Sequence, residues 1–117
     1  PLVTAENNPQ TSGMLKSHYA PHTPLILGDI EALAPQYANR DMGLLTFKDT
    51  YPKVSARKVE VLSPAGDLRE AAQRLFAALR RLDASGLQVI LAEPVPDEGL
   101  GRAINDRLTR AEADRKG

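Results

Sequence analysis

The segment Asp67–Ser85 carries one apolar stripe at helical spacing: Leu68, Ala72, Leu75, Phe76, Leu79 and Leu82. Asp67 and Glu70 form a capping-box-like pair at its start, Glu70 and Arg74 make an i,i+4 ion pair on its outer face, and Gly86 supplies its stop. Directly after it stands Val89-Ile90-Leu91-Ala92, apolar at every position. A strand with no polar face is buried on both sides, as in a parallel sheet covered by helices. An amphipathic helix that delivers such a strand restricts the chain to few architectures.

The remainder repeats the alternation. Leu25-Ile26-Leu27, between Pro24 and Gly28, reads as another buried strand, and its wholly apolar run marks it as the expected centre of the sheet. Asp29 can cap a helical stretch over Ile30–Ala34, and Pro35 opens a further turn to about Arg40. Asp41-Met42-Gly43 ends it, with Gly43 as the left-handed stop. Leu44–Phe47 reads as a strand, Lys48–Arg57 as a loop and Lys58–Leu62, which alternates polar and apolar, as an edge strand. Ser63-Pro64-Ala65-Gly66 is a turn. Glu93–Glu98 is a stiff acidic loop, and Gly99–Ala113 is the last helix, with Leu100, Ile104, Leu108 and Ala111 inward. These elements predict an α/β fold, a small Rossmann-like three-layer domain with a mainly parallel sheet over residues 23–117. Residues 1–22, polar and irregular at first, form an arm.

Composition narrows the function classes. Fifteen Lys and Arg balance fifteen Asp and Glu, and aromatics make up 4% of the 117 residues. Neither a basic surface for nucleic acid nor a stacking platform for single strands is expected. There is no cysteine, which removes disulfides and thiolate metal sites and fits a cytoplasmic protein. No apolar run approaches a membrane span and no signal peptide is visible. The chain begins at Pro1, which reads as a processed or excised segment.

Three stretches could carry chemistry. Ser12-Gly13-Met14-Leu15-Lys16-Ser17-His18-Tyr19-Ala20-Pro21 is unsuited to a helix or a central strand. It can be a ligand clamp, with Lys16 a mobile charge for phosphate, His18 a donor and Tyr19 a flat face with a hydroxyl. It can equally be a linker in which His18 and Tyr19 anchor the chain to the domain. A helical zinc face on His18 and His22 is excluded by Pro21 between them. The second stretch, Glu93–Gly101, follows a strand and opens a helix, where exposed N–H groups bind anions, and Gly99 and Gly101 permit close backbone approach. Asp97 and Glu98 put negative charge on that spot, so we read it as structural. The third is Asn105-Asp106-Arg107. Asp106 can pair with Arg110 on a solvated face, while Asn105, odd inside a helix, can bond the Glu93–Glu98 loop.

Two of these stretches resemble signatures of one family. Gly13-Met14-Leu15-Lys16-Ser17-His18-Tyr19-Ala20-Pro21 resembles the interdomain signature of two-domain threonylcarbamoyl-AMP synthases. Leu91-Ala92-Glu93-Pro94-Val95-Pro96-Asp97-Glu98-Gly99-Leu100-Gly101-Arg102-Ala103-Ile104-Asn105-Asp106-Arg107-Leu108 resembles a second signature near the end of the same family's C-terminal domain, and Gly66–Ala72 fits between them. Ser12 stands where the family usually has proline. The resemblance covers roughly Thr11 to Ala111 and implies an accessory domain with its linker. Such a family makes threonylcarbamoyl-adenylate from ATP, L-threonine and bicarbonate for tRNA modification, in an N-terminal catalytic domain absent from this sequence. The resemblance implies that the linker, through Gly13, Met14, Lys16, His18, Tyr19 and Pro21, folds over that domain's ATP and threonine pocket. Glu93, Gly99, Gly101, Asn105 and Asp106 are a second candidate surface. No cofactor or metal is expected in this segment; ATP and Mg belong to the intact enzyme. The implied partners are the catalytic domain and, through it, ATP and L-threonine, with a homodimer as a further option. The alternative is a stand-alone Rossmann-like ligand-binding or oligomerisation module. With no docking surface for the arm, Pro1–Ser17 is expected to exchange its amides quickly and Asp67–Ser85 slowly.

Overall fold

The computed structural model describes residues 21–116. Four strands, β1 (Leu25–Leu27), β2 (Met42–Thr46), β3 (Lys58–Val61) and β4 (Val89–Ala92), form one sheet in the order β1-β4-β2-β3. Every pairing is parallel, with Leu25 opposite Ile90, Leu44 opposite Leu91 and Leu45 opposite Glu60. The three helices are α1 (Ile30–Leu33), which runs on into a 3-10 turn over Ala34–Tyr37, α2 (Leu68–Asp83) and α3 (Leu100–Lys116). Helices on both faces of a parallel sheet make the three layers that the alternation predicts.

The two faces hold separate cores. On one, Leu45, Ile90 and Ala92 meet Leu75, Leu79 and Leu82 of α2 and Ile104 and Leu108 of α3. On the other, Leu44, Val89 and Leu91 meet Ile30 and Ala34, with Tyr51 and Val54 of the 48–57 loop packed alongside. Arg107, only 2% exposed, lays its guanidinium 5.9 Å from the centre of the Phe76 ring.

Three details differ from the sequence reading. First, Leu25–Leu27 is not central. It lies at the edge beside β4, and the crossover from β1 to β2 skips the place that β4 fills. An edge strand covered on both faces reads as apolar as a central one, so its composition did not reveal its position. Its outward Leu27 N–H donates to the Glu112 carboxylate of α3 at 3.1 Å. Second, Gly43 is not a helix stop; it sits inside β2. A Cβ there would stand 2.4 Å from Leu87 Cδ1 and 3.0 Å from Leu82 Cδ2, so the missing side chain lets α2 and its exit pack closely. Third, Glu70 does not close a capping box with Asp67. Asp67 accepts from the Arg69 N–H at 3.0 Å, while the buried Ser63 hydroxyl accepts from Asp67 N–H at 2.8 Å and donates to Glu70 at 2.6 Å. The Glu70–Arg74 pair forms as expected, at 3.0 Å.

On β3, Glu60 and Lys58 share the α2 side of the sheet. Arg81 of α2 grips Glu60 with both guanidinium arms, Nε to Oε2 at 2.9 Å and Nη2 to Oε1 at 2.8 Å. The Arg81 hydrogen bonds hold the Glu60 carboxyl below the usual glutamate range. Because its folded pKa lies below the unfolded one, the pair stabilises the fold above the ordinary glutamate range, and that contribution is lost as pH falls through the folded value. Melting temperature followed from about pH 7 down to about pH 3, across the carboxylate range, is therefore expected to fall less steeply for Glu60→Gln than for the parent chain.

Candidate functional site

In a parallel sheet a ligand crevice opens where neighbouring strands send their loops to opposite faces. Here β4 passes its loop to α3 on one face, while β1 and β2 turn to the other. Glu93, the first residue after β4, stands at that point. Its backbone N–H still bonds Leu45 carbonyl, at 3.0 Å. Its carboxylate takes the Phe47 N–H at 2.7 Å on Oε2 and the Tyr51 hydroxyl at 2.5 Å on Oε1. The charged acceptor, partial burial and the nearby Asp49 and Glu31 charges push the Tyr51 hydroxyl well above the usual phenol range, so it stays a donor. Tyr51 is held with φ +53°, an unusual backbone for a bulky residue. The crevice is thus braced by the chain's own groups.

The loop beyond Glu93 is clasped by α3. Asn105 accepts the Val95 N–H on Oδ1 at 2.8 Å and donates from Nδ2 to the Val95 carbonyl at 2.8 Å and to Asp97 at 3.4 Å. An amide is the side chain that can answer a donor and an acceptor of one backbone residue at once. Gly101 allows the helix to seat on the loop: a Cβ there would lie 1.8 Å from Pro96 carbonyl oxygen. Gly99 turns the chain into the helix at φ +53°. The Gly101 N–H is taken by Glu98 carbonyl and the Arg102 N–H by Gly99 carbonyl, at 2.8 and 3.1 Å. These pairings agree with the structural reading of the stretch. Leu100, expected inward, is 42% exposed, because Gly101, Ile104, Leu108 and Ala111 are the positions that face the sheet. Asp106 lies on the outer face, paired with Arg110 at 3.1 Å.

Gly13, Met14, Lys16, His18 and Tyr19, and the expected mobility of Pro1–Ser17, lie outside the described residues. Pro21 is described and buried. It precedes β1 at the amino edge of the sheet, so the structure separates it from the Glu93–Asp106 surface at the carboxyl edge and along α3. At that amino edge the sequence reading missed Asp83. Its carboxylate accepts the His22 N–H at 3.1 Å and, from Thr23, both N–H and hydroxyl at 2.9 and 2.8 Å. The signal was an acid at a helix C-terminus, where Arg80 and Arg81 are the expected kind of residue. Tyr51 was also missed; nothing local links it to Glu93.

A groove of about 410 Å³ opens between the 3-10 turn and the 48–57 loop, lined by Pro35, Met42 and Val54 and flanked by Glu31 and Lys53. Among the described residues no group of three or more His, Asp or Glu is placed to hold a metal ion, and no helix is long and apolar enough to cross a membrane.

Comparison with known proteins fits this geometry. The sequence model described as "Threonylcarbamoyl-AMP synthase, C-terminal domain" matches residues 2–113. The chain belongs to that family. It is 34% identical to a threonylcarbamoyl-AMP synthase of Bacillus subtilis over 94% of this chain and 34% of the relative. It is 36% identical to one of Pyrococcus abyssi over 85% and 31%. The C-terminal-domain chain thus spans about a third of the length of these relatives. Its fold matches Pyrococcus abyssi Sua5 complexed with L-threonine at TM-score 0.71, with 33% identity, covering 84% of this chain and 30% of that one. The C-terminal Sua5 domain of Pyrococcus horikoshii matches at TM-score 0.60 and 29% identity, over 77% of this chain and 93% of that one. That last pairing aligns the synthase C-terminal domain nearly end to end with a domain solved by itself.

The clasp generates a test of its structural weight. Asn105→Ala leaves the buried Val95 with two unanswered backbone groups and is expected to destabilise the chain by about 2–4 kcal/mol. Asn105→Asp keeps the acceptor and loses the donor, and should cost about half as much. Urea unfolding of the three proteins checks the order.

Proposed function

We propose that this chain is the accessory C-terminal domain of an L-threonylcarbamoyladenylate synthase. Its arm, residues 1–22, closes over the catalytic pocket of an N-terminal domain. The observation that carries the reading is the state of the domain's own crevice. Glu93, the group best placed to meet a ligand there, is answered by Phe47 and Tyr51, and Asn105 beside it by Val95. A domain whose crevice is filled by its own bonds serves as a scaffold, and the family membership names what it supports.

In the intact enzyme, ATP, L-threonine and bicarbonate become threonylcarbamoyl-adenylate and pyrophosphate, in the cytoplasm, and the product serves modification of tRNA. The described residues offer no metal-binding group, so the Mg that accompanies ATP is assigned to the catalytic domain. This chain contributes the arm positions Gly13, Met14, Lys16, His18, Tyr19 and Pro21. Lys16 supplies a cation for phosphate oxygens, and Tyr19 a flat face with a hydroxyl. A closed arm excludes water and completes the site.

The test separates lid from anchor. Tyr19→Ala in the full-length protein is expected to slow pyrophosphate release about tenfold or more. The same change in the present chain should shift stability by no more than about 0.5 kcal/mol. The present chain alone, given ATP, threonine and bicarbonate, should release no pyrophosphate above background. Normal turnover of the full-length variant, with a large loss of melting temperature in this chain, would retire the lid and leave Tyr19 as an anchor.

A further inference from the structure

Asp83 is the last residue of α2. A helix C-terminus carries partial negative charge, so an acid in that position is locally unfavourable. Such a breach of a local rule calls for a compensating partner. The partners are on the page: Oδ2 accepts from His22 N–H at 3.1 Å, and Oδ1 accepts from Thr23 N–H at 2.9 Å and Thr23 hydroxyl at 2.8 Å. Two consecutive amides and a hydroxyl converge on one carboxylate, as they do at a charge-assisted cap. The Thr23 bonds are partly buried, and Thr23 itself is 8% exposed.

The flanks of this pin are stiff. Pro24 keeps Thr23 extended, and Pro21 fixes its own φ and restricts Ala20. Tyr19 stands four residues before Thr23, so a fully extended chain holds it within about 14 Å of the pin. Holding the end of a stiff arm raises the effective concentration of its tip at a neighbouring site; releasing it lengthens the tether and lowers that concentration.

We propose that Asp83 is a positioning residue for adenylate formation: by fixing His22 and Thr23 it aims His18 and Tyr19 at the catalytic pocket. This rests on the lid reading above. Asp83 acts through the arm and touches no reactant.

The experiment uses the full-length synthase well below its melting temperature. Pyrophosphate release gives kcat and KM for L-threonine, and amide exchange at His22 and Thr23 reports the pin. Asp83→Ala is expected to speed that exchange and to lower kcat/KM roughly tenfold, as misplacement of a positioned group does. Thr23→Val should lower it several-fold, and Thr23→Ser, which keeps the hydroxyl, should stay near the parent. Combining Asp83→Ala with Tyr19→Ala should add little to the loss from Tyr19→Ala alone, because both changes disable one arm. Unchanged kcat/KM in folded Asp83→Ala, beside a slow Tyr19→Ala, would overturn the role of Asp83 and leave the lid standing. Losses that multiply in the double variant would also overturn it, since Asp83 would then act by another route. A normal Tyr19→Ala would retire the lid and this role together. Should Asp83→Ala fail to fold, Thr23→Val and Thr23→Ser decide: equal activity of those two sinks the proposal.

Discussion

The structure depends on β4. Val89–Ala92 pairs with β1 on one side and β2 on the other, and all four of its residues are buried. Neither neighbour touches the other, so without β4 the sheet is two fragments. The strand is delivered by α2 from the far edge, and its carboxyl end supplies Glu93, which ties the 48–57 loop back to the sheet. Long-range pairing of this kind is slow to form, because loop closure precedes the contacts that reward it. The core on α2 and α3 and the core on α1 share this one strand, and both are completed by it.

The two sheet edges have different work. At the carboxyl edge, side chains are spent on each other: Glu93 with Tyr51, Ser63 with Glu70, Asn105 with Val95. At the amino edge, the chain arrives through Pro21 and Thr23 and is tied to the end of α2 by Asp83. The family's interdomain signature runs into this second edge. A domain that is self-satisfied at one edge and anchors a functional arm at the other is built to carry something, and the catalytic partner is where the arm's chemistry belongs.

Much of the fold was legible because burial leaves periodic traces. The stripe from Leu68 to Leu82 and the apolar run of β4 identify a helix and a buried strand without ambiguity. Asn105 was legible for the opposite reason: an amide inside a helix needs an explanation, and Val95 is that explanation. Strand order was not legible, since it depends on which strands meet after crossovers, and Leu25–Leu27 looks alike at an edge or a centre. Gly43 was misread because a glycine before an apolar run looks like a helix stop, while its role is to clear space for Leu82 and Leu87, residues distant in sequence. The Tyr51–Glu93 brace joins groups 42 positions apart, beyond the reach of any local pattern.

One small contact bears on how the domain behaves among its own copies. An exposed strand edge is a template for intermolecular strand addition and, at high concentration, for aggregation. At β1 the outward Leu27 amide is already occupied by the Glu112 carboxylate. An incoming strand would have to displace that bond and accept a negative charge against its own backbone. At the opposite border, β3 presents Lys58 and Glu60, with Arg81 folded onto the latter. Both borders of the sheet therefore discourage growth, and a domain carried on a flexible arm can be present at high local density without stitching itself to its neighbours.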